Sequence, residues 1–226
     1  MSLDALLNQI TTGDARELAS SIPDESIDHI FCDPPYQRAH IDAGIYAWLG
    51  QAAARVLKPG GFCVTYCGTY RLAHALQQMT SHLIYYWEYR ILFRDGYTAG
   101  IHYQRRTKPG STPLLVFCKG QRLPYRTVLD GYKGAGADKS FHKWGQDAYS
   151  VQYSLECFSR AEDLILDPFC GGGTVPSVCT QLRRQFIAFE IDAQTAETAR
   201  KRLATVQPLL VEPTVSQGHL EMEVPV

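Results

Sequence analysis

No two of the seven cysteines form a Cys-x-x-Cys pair, and their number is odd. That argues against a structural zinc site and against a disulfide framework, and no metal is expected. The cysteines (Cys32, Cys63, Cys67, Cys118, Cys157, Cys170 and Cys179) stand mostly in apolar contexts, where a free thiol behaves as a small buried hydrophobe. No apolar run approaches the ~20 residues of a membrane-spanning helix. Met1–Ile10 lacks the basic start and long apolar stretch of a secretory signal, so the expected location is the cytoplasm. There are no internal repeats. No GxGxxG spacing marks a nicotinamide cofactor site, and no lysine follows a glycine run as an ATP-binding loop would need.

What remains is an ordinary globular composition, 45% apolar and 20% charged, on a chain of 226 residues. That length suffices for one medium domain with a full sheet core. The net charge of −1 is unevenly spread. Between Tyr89 and Lys143 lie eleven Lys and Arg against three Asp, a surplus of eight, which leaves −9 for the rest. A basic segment on an acidic chain is what phosphate contacts require, although a solvated loop face would look the same.

Strand-like and helix-like patterns alternate, which predicts a parallel sheet covered by helices. Strands are expected at 8–12, 26–32, 62–67, 85–93, 113–118, 164–166 and 185–191. Helices are expected at 15–21, 41–57, 70–79, 147–159, 175–182 and 193–205. The stretch 119–146 is rich in Gly, Lys and Arg and has little periodicity. Residues 1–206 read as one catalytic domain with basic loops around 94–146, and 207–226 as a flexible tail.

Two strand ends carry unusual chemistry, and ligands of open α/β sheets bind beyond such ends. The first is Asp167-Pro168-Phe169-Cys170-Gly171-Gly172-Gly173-Thr174. Consecutive glycines between strand and helix turn the chain tightly and admit a ligand close to the backbone. The next strand brings Glu190 to its end, where a carboxylate can accept hydrogen bonds from both ribose hydroxyls. The second is Asp33-Pro34-Pro35-Tyr36. Two prolines after an acid hold a carboxylate, carbonyls and a ring at set positions. A carboxylate with an adjacent carbonyl can accept both hydrogens of an NH₂ group, and a tyrosine face can stack a base.

Together with Leu57-Lys58-Pro59-Gly60-Gly61, these motifs resemble the amino-methyltransferases that modify adenine N6 or cytosine N4 in DNA, over roughly 12–203. The acid-proline motif precedes the glycine motif, as in the β group of that family. The resemblance implies a three-layer, Rossmann-like S-adenosylmethionine methyltransferase fold, circularly permuted, with a mixed seven-stranded sheet in which one strand is antiparallel. It implies that Asp167, Pro168, Phe169, Gly171, Gly173 and Thr174 hold S-adenosyl-L-methionine, with Glu190 on its ribose and Asp14 near its adenine. Asp33, Pro34, Pro35 and Tyr36 would be the catalytic residues that hold the target amine and base. His142-Lys143-Trp144-Gly145-Gln146 stands where the family has a His-Pro-Thr-x-Lys-Pro run, and departs from it. Expected partners are DNA, with the target base flipped out, and a second copy of the chain in a homodimer. A bacterial or phage source is expected.

A base amine inside a duplex is out of reach, so the target must be extruded or single-stranded. Hydrogen bonds from the amine to Asp33 and the Pro34 carbonyl would favour a tetrahedral nitrogen with a free lone pair. Positioning against an already activated methyl supplies much of the acceleration. Carbon-5 cytosine methylation is not expected, because it uses a cysteine, normally in a Pro-Cys dipeptide, and the chain has none. DNA recognition falls to Tyr97, His102, Tyr103, Arg105, Arg106 and Lys108 in the loop 96–108. Asp rather than Ser at 33 favours adenine N6 over cytosine N4. RNA and protein-amide methylating relatives usually carry Asn there, and a silent nucleic-acid-binding module would not need both motifs intact.

Overall fold

The structure, a computed structural model, describes residues 2–35, 44–93, 106–134 and 148–209. Eight strands among them join one sheet: β1 (Gln9–Thr12), β2 (Ile27–Cys32), β3 (Leu57–Tyr66), β4 (Ile84–Leu92), β5 (Ser111–Cys118), β6 (Gly131–Lys133), β7 (Leu164–Asp167) and β8 (Gln185–Glu190). Their order is β1-β8-β7-β2-β3-β5-β4-β6. Every pairing is parallel except the two made by β5, so β5 is the one antiparallel strand. That matches the expected mixed α/β sheet. The eighth strand is β6, three residues paired with Arg90–Leu92 at the sheet's end, inside the stretch that showed no periodicity. Three residues are too few for an alternating pattern to register.

Seven α-helices lie among the described residues: α1 (Leu3–Leu6), α2 (Ala15–Leu18), α3 (Ile45–Val56), α4 (Leu72–Met79), α5 (Ala148–Phe158), α6 (Thr174–Gln181) and α7 (Ala193–Ala204). The expected helices at 15–21 and 70–79 each divide into an α-helical and a 3₁₀ part. Alternation along the strands feeds two cores, one on each sheet face. Ile30, Cys63, Leu166 and Ile187 pack with α1 to α4 on one face, and Phe31, Val64, Ile165 and Ala188 pack with α5 to α7 on the other. None of the described helices is long and apolar enough to cross a membrane.

The side on which successive strands are added reverses between the parallel strands β7 and β2. From β2 the chain passes through α3 on one face to β3. From β7 it passes through α6 on the other face to β8. Such a switch point opens a crevice at the carboxyl ends of the two strands, where open α/β sheets bind ligands.

The Leu57–Gly61 run, read in the sequence as part of the family resemblance, has a structural task. Ile27 pairs with Leu57 but His29 with Phe62, so the intervening residues bulge from β3. His29 Nδ1 accepts the Phe62 N–H at 3.1 Å. A Cβ on Gly61 would lie 2.6 Å from the Asp28 carbonyl oxygen, which is backbone and cannot turn aside. Gly61→Ala should therefore destabilise the fold by about 1–3 kcal/mol, read from the urea midpoint; an unchanged midpoint would show the bulge to be adaptable.

Candidate active site

Strand β2 pairs with β7 through His29 opposite Ile165 and Ile30 opposite Leu166. Continued by one step, that register brings Phe31 level with Asp167, and Asp33, whose charge acts on Asp167, follows near the turn that leaves β7. Adjacent strands are about 4.8 Å apart. The acid-proline turn and the glycine turn, distant in sequence, thus lie side by side at one sheet edge. Strand β8 adds the third acid, because Asp167 pairs with Ala188 and Glu190 ends the strand two residues later. Strand alternation puts Phe31 and Ala188 on the α5–α7 face and carries Asp167 and Glu190 to that same face, while Asp33 follows directly on the end of β2.

The three carboxylates differ in environment. Asp167 is buried, and its Oδ1 accepts the Phe169 N–H at 3.1 Å. Burial, and then the charges of Asp33 and Glu190, hold its carboxyl well above the usual carboxylate range, against the lowering effect of that N–H. Glu190 accepts Gly171 N–H at 2.9 Å on one oxygen and Asp192 N–H at 2.9 Å on the other. It is aimed by the two turns it joins, and each oxygen keeps a lone pair. Asp33 is half-buried, with Pro34 buried behind it and Pro35 half-buried. Tyr36 lies outside the described residues.

Gly171 (φ +49°) and Gly173 (φ +76°) both take left-handed backbone. A Cβ on Gly173 would also stand 3.0 Å from the Ala199 Cβ, so its bare Cα lets α7 pack on the turn. The Thr174 hydroxyl is buried and accepts from Arg202 at 3.0 Å, so it faces the interior. Pro168 is buried, and Phe169 meets the Trp48 ring edge-on at 5.8 Å, tying the glycine turn to α3. Asp14 caps α2 by accepting the Arg16 N–H at 2.8 Å. It joins the same edge, because Thr12 pairs with Glu190 and Gly13 N–H donates to the Glu190 carbonyl.

Two residues here were missed in the sequence. Arg202 braces the turn from α7, donating to Thr174 and, at 3.4 Å, to the Gly172 carbonyl. Its signal was a charge at helical spacing from Ala196 and Ala199 on a buried face. Ile191, directly after Glu190, is 69% exposed, an apolar surface beside the crevice. All seven cysteines are buried, as expected, and burial raises every one of their thiols, Cys67 to about 11. None is prepared to act as a thiolate.

The basic segment divides. Arg106 and Lys108 are exposed and precede β5 at the crevice edge. Tyr97, His102, Tyr103 and Arg105, like His142–Gln146, lie outside the described residues. Lys119, Arg122 and Arg126 instead follow Cys118, which pairs with Phe62 at the opposite edge. Lys119 pairs with Glu25 at 3.0 Å and Arg126 with Glu156 at 3.3 Å. Arg122 and Arg160 flank the Tyr125 ring at 4.5 and 4.2 Å. Part of the charge surplus therefore serves the fold.

This arrangement is that of α/β proteins which bind a nucleotide-like ligand at a switch point. The family follows from sequence: a profile described as DNA methylase, covering N6 and N4 enzymes, matches residues 27–201, and the chain belongs to that family. It is 27% identical over 253 residues to the Type II methyltransferase M.BamHI of Bacillus amyloliquefaciens, covering 87% of this chain. The chain spans only 57% of that enzyme's length. It is 25% identical over 236 residues to the Type II methyltransferase M.HpaI of Haemophilus parainfluenzae, covering 86% of this chain and 74% of that enzyme. Among solved structures, the fold matches the M1.HpyAVI–SAM complex with a TM-score of 0.71 at 20% identity, over 86% of this chain and 98% of that one. It matches the cytosine-N4-specific PvuII DNA methyltransferase with a TM-score of 0.75 at 16% identity, over 92% and 87%.

Gly173→Ala should cost about 1–3 kcal/mol, because it adds left-handed strain to the Ala199 clash. Chemical denaturation reads the loss, and an unaltered midpoint would mean that α7 is not seated on the turn.

Proposed function

We propose that this chain is a site-specific DNA methyltransferase that transfers a methyl group from S-adenosylmethionine to adenine N6. The observation that carries the reading is the parallel pairing of β2 with β7, whose carboxyl ends lead into the Asp33 turn and the glycine turn at one sheet edge. Family membership supports the reaction class, and the relatives named Type II methyltransferases support a role in modification. The opening Asp33 favours adenine over cytosine. The fold likeness to a cytosine-N4 enzyme carries no preference between the bases.

The residues of the crevice fit the donor. A buried carboxyl without a cationic partner among the described residues suits a cationic ligand, and Glu190 suits a ribose. Asp167, Pro168, Phe169, Gly171, Gly173 and Thr174 would form the cradle, Thr174 acting through the turn that its hydroxyl braces. Asp14 and the exposed Ile191 would flank the adenine of the donor. S-adenosylmethionine supplies a methyl group already activated by its sulfonium sulfur.

Asp33 and the Pro34 carbonyl would accept the two N–H groups of the target amine, with Pro35 stiffening the turn and Tyr36 stacking on the base. Orientation of the nitrogen lone pair is the chief contribution of these residues. The proton lost from nitrogen needs no strong base, since it can leave after transfer. A flipped-out base is required for the amine to reach a strand tip. Arg106 and Lys108 would meet DNA phosphates at the crevice edge, together with Tyr97, His102, Tyr103 and Arg105. We read 1–206 as the catalytic domain.

Incubation with labelled donor and DNA, followed by digestion and mass spectrometry, should give N6-methyladenine. N4-methylcytosine would move the target base, and unmodified DNA under donor-binding conditions would overturn the reading. Asp33→Ala should slow transfer at least about 100-fold while donor binding persists; near-normal turnover would remove Asp33 from the amine site.

A further inference from the structure

Asp167 is an acid in a place that penalises its charge. It is 2% exposed and takes one hydrogen bond, from the Phe169 N–H. Asp33 follows the end of β2 on one side and Glu190 ends β8 on the other, and both repel its charged form. The remaining groups around it are the thiols of Cys32 on β2, Cys170 in the turn and Cys179 on α6, all kept neutral by burial. Among the described residues, the cations of the neighbouring helix and turns are committed elsewhere. Arg200 of α7 holds the Ile10 carbonyl and Thr12, Arg202 holds Thr174 and Gly172, and Arg184 holds Ser159 and the Leu182 carbonyl. A buried carboxylate between two other acids, with no counter-charge among the described residues, is more stable with a proton than without one.

The same residue opens the glycine turn, where the methionine half of the donor would lie, and that half carries an α-ammonium. We propose that Asp167 holds a proton in the free protein and gives it to solvent when this ammonium arrives to act as its counter-charge. The O–H bond of the carboxyl breaks, the proton passes to buffer, and nothing is oxidised or reduced. The inference rests on the reading of 167–174 as the donor cradle.

The sign of the pH dependence follows. The ionised carboxylate is the form that binds, and binding lowers a carboxyl that stands high in the free protein. Donor affinity therefore rises as pH rises from the bound-state to the free-state titration point, by up to about tenfold per pH unit. It levels off above the free-state point. Because the ammonium is the trigger, the thioether product S-adenosylhomocysteine behaves as the donor does. 5′-Methylthioadenosine, which lacks the amino-acid part, does not.

Isothermal titration calorimetry at pH 6.5 in phosphate and in imidazole counts the protons, because the two buffers differ in ionisation enthalpy. At that pH the ligand amine is itself charged. The expected result is net proton release for S-adenosylmethionine and for S-adenosylhomocysteine, and none for 5′-methylthioadenosine. Asp167→Asn should bind S-adenosylmethionine without release. Donor binding with no proton release by the native chain, or equal release by all three ligands, would overturn the inference and leave the donor cradle standing. Failure of the native chain to bind S-adenosylmethionine at all would instead overturn the donor reading.

Discussion

Two strands separated by more than a hundred residues lie against each other with their ends at one edge. The pairing of His29 with Ile165 and of Ile30 with Leu166 is a short stretch of backbone. It nevertheless decides which side chains meet. It brings an acid followed by two prolines next to an acid followed by a glycine turn. The same register ends β2 one residue before Asp33, level with the turn that follows Asp167, so the two acids meet at one edge. A slip of one residue would part them. The surrounding structure defends that register. Asp28 bonds the Leu164 N–H at 2.9 Å, and His29 Nε2 lies 3.3 Å from Asp163, so the starts of β2 and β7 are joined by side chains as well as by the ladder.

That arrangement concentrates negative charge where little cancels it. Three carboxylates from three adjacent strand ends share the crevice, one buried, one held between two backbone N–H groups and one half-buried. Such a site is least stable when fully ionised, and under the proposed function a ligand that brings positive charge would complete it. The same charge pattern divides labour within the chain. Arg106 and Lys108 at the crevice edge are exposed, and at the opposite edge Lys119, Arg126 and Arg122 contact Glu25, Glu156 and the Tyr125 ring.

Much of this was legible in the residues. Prolines after Asp33 and glycines after Phe169 are strong punctuation, and they marked both strand ends without knowledge of their partners. The spacing to Glu190 marked the third. Helix α3 could be read from the spacing of Ile45, Leu49, Ala53 and Val56, and it ends where expected, before Pro59. Less legible were features set by tertiary contact. The strand β6 is too short to carry a period. The need for glycine at 61 and 173 comes from the Asp28 carbonyl and from Ala199, which are distant in sequence. The charge surplus of 89–143 read as one surface, yet the reversal of the chain through antiparallel β5 sends its halves to opposite edges. Composition sums along a chain and cannot see such a reversal.

The central claim is that donor and target base meet in the crevice between β2 and β7, and the most direct measurement is a structure of the chain with a DNA duplex and the non-reactive donor analogue sinefungin. The account predicts the analogue against the turn at 171–173 with its ribose on Glu190. It also predicts an extruded adenine whose N6 is within hydrogen-bond distance of Asp33 and about 3–3.5 Å from the transferable position. An analogue bound at another edge of the sheet, or a target base held away from Asp33, would contradict it.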